Sequence, residues 1–232
     1  MARIQTLLIP ILIGVLGQGF GLTAALAGEI SGHIVITKTL TKKKIVLPAY
    51  PSRNFLSPVK QESTVSASEF SRLAVYLEGP AGKSATTSAK LTQHELRFDP
   101  EILIVPVGST VSFPNEDPIF HNVFSLSKSK QFDLGYYPIG QTRIVRFEKA
   151  GVVQVYCHLH PQMSAAILIV DTPWYEKPNE DGTFTFSQVP AGSYEVVAWH
   201  KSAGFFKRRV ELTESAPVRV DLTIPLRETE AP

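Results

Sequence analysis

The chain has 232 residues, 44% hydrophobic and 19% charged, enough apolar material for one large or two small cores, so disorder is not its default state. Its 23 Lys and Arg stand against 21 Asp and Glu, which leaves no broad basic face to hold a phosphate backbone, and nucleic acid is not an expected partner. One cysteine cannot close an internal disulfide.

The first 27 residues differ from the rest. Arg3 is their only charge, apolar residues run from Leu7 to Leu16, and Ala25-Leu26-Ala27 ends the segment with small residues. This is the pattern of a secretory signal peptide cleaved after Ala27. Gly14, Gly17, Gln18, Gly19 and Gly21 interrupt the run before it reaches the ~20 apolar residues of a membrane span. The expected location is periplasmic or secreted, with no membrane span in the mature chain. Outside the cytosol an unpaired thiol is a liability unless something occupies it, so Cys157 needs an explanation.

Beyond the leader, alternation is common and helical periodicity scarce. Val218, Val220, Leu222 and Ile224 alternate with Arg219, Asp221 and Thr223, the pattern of a strand with one wet face. With 17 prolines and 15 glycines punctuating short runs, the predicted class is all-β, as sandwiches joined by turns. Residues 79–90 are small and polar and read as an exposed linker, and Asp171-Thr172-Pro173 marks a second boundary. Between them, residues 102–105, 110–113, 142–147, 152–157 and 166–170 are strand-like at sandwich spacing. The earlier stretch 42–71 carries Lys42-Lys43-Lys44, which reads as a solvated loop.

The chemistry concentrates in Val153-Gln-Val-Tyr-Cys157-His158-Leu-His160-Pro-Gln-Met163, a strand running into a loop that offers thiolate, imidazole and thioether at positions 157, 160 and 163. Two imidazoles, one thiolate and a long axial thioether suit copper cycling between its two oxidation states. One more imidazole is required, and His121 supplies it after the turn Pro114-Asn-Glu-Asp-Pro118. Zinc accepts similar donors, but its four-coordinate preference is better met without a thioether, so Met163 turns the reading to copper. His158 is a rival to His160; a donor adjacent to the thiolate would strain the loop, and His158 reads as an outer or surface group. His33 and His94 lie in strand-like segments as exposed polar positions, and His200 reads as structural.

The pair His121-Asn122-Val123 and Tyr156-Cys157 resembles the blue copper proteins, and the Cys-x-x-His-x-x-Met spacing is similar to the short loop of amicyanin. The resemblance covers residues 96–170 and implies a Greek-key cupredoxin sandwich over 89–171. It implies one type 1 copper ion on His121, Cys157, His160 and Met163, with Asn122 hydrogen-bonded across to stiffen the cysteine loop. Residues 182–199 contain two strands joined by Pro190-Ala-Gly192 and resemble the carboxypeptidase regulatory-like (transthyretin-like) sandwich, as do the strands Ser31–Thr37 and Leu73–Gly79. The implied architecture is a second, discontinuous sandwich, 28–79 with 172–227, interrupted by the copper domain at a hairpin, where insertions are tolerated.

The expected function is single-electron transfer between redox partners, without catalysis. A partner would dock near His160, where Phe120, Pro138, Ile139 and Pro161 would form an apolar patch. The alternative is a copper carrier or scavenger delivering metal to an exported oxidase. An enzyme such as a nitrite reductase would need a second metal site with an open position, and the other four histidines form no second cluster in the sequence.

Overall fold

The computed structural model describes residues 28–37, 69–80, 82 and 84–225. The predicted leader, Lys42-Lys43-Lys44 and positions 226 and 227 of the predicted second sandwich lie outside the described residues. The described chain is all-β, apart from a single 3-10 turn at Glu69–Arg72. It opens with β1 (Gly28–Ile36) and β2 (Leu73–Glu78). The middle region holds β3 (Ser88–Lys90), β4 (Thr92–His94), β5 (Arg97–Asp99), β6 (Ile102–Pro106), β7 (Thr110–Pro114), β8 (His121–Ser127), β9 (Lys130–Tyr137), β10 (Thr142–Arg146), β11 (Gly151–Tyr156) and β12 (Ser164–Val170). The last strands are β13 (Tyr175–Glu176), β14 (Thr183–Val189), β15 (Gly192–His200), β16 (Gly204–Leu212) and β17 (Val218–Ile224).

In the middle region a five-stranded sheet, ordered β6-β12-β11-β8-β9, faces a smaller sheet ordered β10-β7-β3. Their facing side chains, among them Val111, Phe113, Val123, Tyr137, Val153, Val155 and Ile167, form one core that also contains Cys157 and Met163. The hairpin β8–β9 was not among the strand-like runs of the sequence, and it is the element that carries His121. The polar segment read as a linker ends earlier than expected. Its last residues form β3, parallel to β7 through Ser88↔Thr110, and Thr87 accepts from Thr110 N–H through its carbonyl oxygen at 3.0 Å. On this edge strand Ser88 and Lys90 are exposed while Ala89 packs against the middle core, and just before it the Ser109 hydroxyl accepts from the Thr87 N–H at 3.0 Å.

The outer strands form a second pair of sheets, β14-β1-β17 and β13-β2-β15-β16. β1 pairs antiparallel with β14 and parallel with β17, while β2 pairs antiparallel with β13 and β15. Between these sheets lies a separate core that includes Ile30, Ile34, Val75, Leu77, Phe184, Val196 and Leu222. Glycine at position 32 is demanded by close approach, because a Cβ there would lie 1.8 Å from the Val220 carbonyl oxygen.

The two sandwiches are joined by a third core of Ala74, Tyr76, Ile102, Ala166, Leu168, Val170, Val197 and Trp199. Four strands, β2, β6, β12 and β15, serve two cores at once. Side chains alternate across a strand, so Ala165, Ile167 and Ile169 of β12 enter the middle core while Ala166, Leu168 and Val170 enter the junction. β2 and β15 divide in the same way, with Val75 and Val196 on one side and Ala74 and Val197 on the other. The unbroken apolar runs Leu73–Leu77 and Ala165–Val170 are the sequence mark of strands covered on both faces. Each large side chain buried this way stabilises the fold by about 1.5–3 kcal/mol, so the junction is a core and not a hinge.

Candidate metal centre

β11 delivers Cys157 just past its last residue, and a tight turn closed by Met163 N–H donating to the His160 carbonyl at 2.9 Å returns the chain into β12. β8 starts at His121 and meets β11 through Phe124↔Tyr156. That register sets His121 beside the cysteine, and the Asn122 N–H donates to Cys157 Sγ at 3.5 Å. Two segments carrying candidate ligands, 36 residues apart in sequence, are therefore brought together by one sheet contact.

His121 Nδ1 and His160 Nδ1 lie 3.0 Å apart, and Cys157 Sγ lies 3.9 Å from the first and 3.7 Å from the second. Two donors sharing one ion can be no farther apart than the sum of their bonds, about 4.3 Å for a nitrogen and a thiolate sulfur. All three separations satisfy this limit. Among the described residues these three form the single group of His, Cys, Asp or Glu side chains with metal-binding spacing. Met163 is fully buried in the same apolar core as Cys157, so its thioether is shielded from water at the base of the loop.

His121 is fully buried, and its outer nitrogen Nε2 lies 2.8 Å from Asp117 Oδ2. A carboxylate accepts and does not donate, so Nε2 carries the proton and Nδ1 keeps a bare lone pair aimed at the other two donors. Asp117 is itself held by the Glu95 and Leu96 N–H groups at 2.7 and 3.0 Å. Those two residues have φ of 50° and 57°, the left-handed conformation that turns both N–H groups toward one anion and costs roughly 1–2 kcal/mol each. Burial alone would raise the Asp117 carboxyl, but these N–H groups and the His121 ring hold it below the usual carboxylate range. Asn115 completes the support, accepting from Asp117 N–H at 2.9 Å and donating to the Ile119 and Tyr137 carbonyls.

The arrangement resembles a type 1 copper centre.

No protein-family model matches the chain, and no curated protein matches it. Among solved structures the chain is similar to a purple cupredoxin, to amicyanin variants and to a copper-containing nitrite reductase. A purple cupredoxin from Nitrosopumilus maritimus matches at 26% identity and TM-score 0.32, over 35% of this chain and 99% of that chain. A variant of amicyanin in its reduced state matches at 19% identity and TM-score 0.34, over 41% of this chain and 99% of that one. A copper-containing nitrite reductase from Thermus scotoductus SA-01 matches at 22% identity and TM-score 0.35, over 41% of this chain and 25% of that one.

The remaining histidines fall outside this cluster. His158 stacks on Phe124 with ring centroids 3.7 Å apart, and its Nε2 lies 3.6 Å from Asp133 on the outer face of the sheet. Its N–H donates to Asn122 Oδ1 at 3.4 Å, while Asn122 Nδ2 donates to Asp133 Oδ1 at 2.7 Å, so Asn122 ties the cysteine loop to β9. His94 is exposed, whereas His33 is half-buried and bonded to the Asp181 carbonyl at 2.7 Å, less exposed than its sequence context implied. His200 is fully buried, with Nε2 3.1 Å from Glu69 Oε2. Sequence reasoning missed Asp117, although an acid four residues before His121 was visible, and it missed Glu69 because nothing local links it to His200.

Proposed function

We propose that the middle sandwich is a cupredoxin domain that holds one type 1 copper ion through His121, Cys157, His160 and Met163 and passes single electrons between redox partners. The observation that carries this reading is the convergence of His121 Nδ1, His160 Nδ1 and Cys157 Sγ within 4.8 Å, with the far side of His121 already committed to Asp117. The ion, when bound, supplies one-electron exchange. The protein's part is to keep the donors where both oxidation states accept them. Asp117 fixes the His121 tautomer, the Asn122 N–H approaches the cysteine sulfur, and the core around Met163 excludes water. Donors held by burial and hydrogen bonds rearrange little on electron transfer, which suits rapid exchange.

His160 is half-buried, in contrast with the fully buried His121, and is the donor nearest solvent. Leu159 and Pro161 flank it and are exposed, Phe120 precedes His121 at 55% exposure, and Ile139 lies just past Tyr137, the partner of His121 in β9, at 55%. Exposed apolar residues flanking a site are the usual material of a docking surface, and a redox protein partner is the occupant this reading supports.

The same reading takes the outer strands as one discontinuous sandwich, 28–79 with 172–227, of the carboxypeptidase regulatory-like type, with 89–171 inserted. It also places the protein in the periplasm or outside the cell after cleavage at Ala27. The pairing of β1 and β2 with strands after Val170 supports the first statement. The second is supported by Cys157 lying buried beside His121 and His160, where a metal ion would occupy a thiol that is otherwise a liability outside the cytosol. Among the described residues no helix is long and apolar enough to cross a membrane.

The test is a visible absorption and electron spin resonance spectrum of the copper-loaded mature protein. An intense thiolate-to-copper band is expected, and a colourless one-to-one copper complex would refute the assignment.

A further inference from the structure

We propose that Lys201, a residue of the flanking sandwich, is a positioning residue for the metal centre, acting on Met163 through Ser164. The inference rests on the ligand set proposed above and goes beyond it by giving the outer module a role at the site.

Lys201 sits in the turn between β15 and β16, and its side chain is only 11% exposed. Its ammonium reaches across the junction to Glu101 Oε1 at 2.8 Å, the Ser164 carbonyl at 3.2 Å and Ser164 Oγ at 3.4 Å. Arg72 Nε meets the same Glu101 at 3.3 Å, and the Arg72 carbonyl accepts from the Lys201 N–H at 3.1 Å. Glu101 in turn accepts from the Ala166 N–H at 3.0 Å through its main-chain carbonyl. The first residues of β12 are thus gripped by a shielded charge network and not by the sheet alone.

Position is what makes this more than glue. Ser164 follows Met163 directly, and on its other side Met163 is fixed by its N–H bond to the His160 carbonyl at 2.9 Å. Beside the core that buries its side chain and the Ser164↔Tyr156 pairing, the chain at Met163 is thus held on both sides, inside the ligand loop by the His160 carbonyl and after it by Lys201 on the Ser164 carbonyl. The junction does not need Lys201 to hold together, since Trp199, Leu168, Ile102 and their neighbours already form a buried core there. A buried ammonium carries a desolvation penalty that only close, charge-assisted partners offset, and here a main-chain carbonyl at the exit of the ligand loop is one of those partners.

The experiment compares Lys201→Met, which keeps the aliphatic stem and removes the ammonium, with wild type, Lys201→Arg and Met163→Leu. In the copper-loaded chain, Lys201→Met should keep its copper content but shift the reduction potential upward, in the direction of Met163→Leu, because a looser axial donor stabilises the oxidised state less. Lys201→Arg should restore the wild-type value. In the double variant the Lys201→Met shift should vanish, since residues acting through one group are not additive. In the metal-free chain, Lys201→Met should lose amide-exchange protection at residues 163–166.

A lowered melting temperature with unchanged potential and exchange would make Lys201 simple junction glue and overturn the proposal. So would a potential shift that persists undiminished beside Met163→Leu, which would mean direct action of the charge. If wild type forms no coloured copper site, the ligand reading itself fails, and the exchange measurement still decides whether Lys201 holds Met163. Should Lys201→Met not fold, Lys201→Leu, which also removes every donor to the Ser164 carbonyl, is read by the same criteria.

Discussion

His121 in the middle sandwich and His200 in the flanking one begin alike: both are fully buried, and both set Nε2 on a carboxylate, Asp117 at 2.8 Å and Glu69 at 3.1 Å. Their other nitrogens face different surroundings. His121 Nδ1 looks onto the His160 ring and the Cys157 sulfur, whereas His200 Nδ1 accepts the Ser202 and Ala203 N–H groups, each at 3.2 Å. In one place the lone pair is left for a metal and in the other the backbone consumes it. A buried histidine bonded to a carboxylate is therefore no sign of a metal site by itself; the second nitrogen decides.

The strongest way to break this comparison is to remove the thiolate. Cys157→Ser should abolish the coloured copper site completely while leaving a folded chain, because the substitution is nearly isosteric and the surrounding core remains; absorption and circular dichroism read the two outcomes. Loss of the fold in the metal-free variant would show that Cys157 is chiefly a core residue.

A smaller effect separates the two carboxylates. Asp117→Ala should weaken metal binding by about 10–100-fold, the usual cost of losing the partner that orients a ligating histidine. Glu69→Ala should leave metal affinity unchanged and lower stability by about 1–3 kcal/mol, as the His200 Nε2 proton loses its buried acceptor. Competition with a chelator and denaturant titration measure the pair, and equal metal loss in both variants would erase the distinction drawn here.

The third test uses pH. Burial disfavours the charged form of His200; Glu69 opposes this and Arg72 adds to it, and the net result lies below the ordinary value of 6.5. The unfolded chain then takes up the proton first on acidification. Stability from the neutral ring is complete above the ordinary value and is lost as pH falls from there through the lower folded value. Denaturant midpoints of the metal-free protein, followed from about pH 7 down to about pH 5, should fall more steeply in wild type than in His200→Gln. Identical slopes would show that His200 is not held neutral.

The smallest effect is expected at the rival histidine. His158→Ala should leave the copper spectrum intact and cost no more than about 1 kcal/mol, since it removes an exposed ring stacked on Phe124. A lost or altered copper band would return His158 to the ligand set.

Much of the candidate site is legible in the sequence. Cys157, His160 and Met163 lie on one short loop, and a thiolate, an imidazole and a thioether at such spacing restrict the chemistry wherever that loop is placed. The all-β class was equally local, because alternation along residues 218–224 and frequent turn residues are properties of single segments. What the chain could not display was pairing at a distance. That Asp117 shares its charge with the turn at Glu95 and Leu96, that Glu69 meets His200, and that Lys201 reaches Ser164 depend on sheet register and on the third core. The candidate donors could be named from the sequence because metal ligation needs particular atoms. Their support came only with the tertiary structure, because a backbone N–H or a carboxylate becomes a partner through distance, and burial then sets how much that partnership is worth.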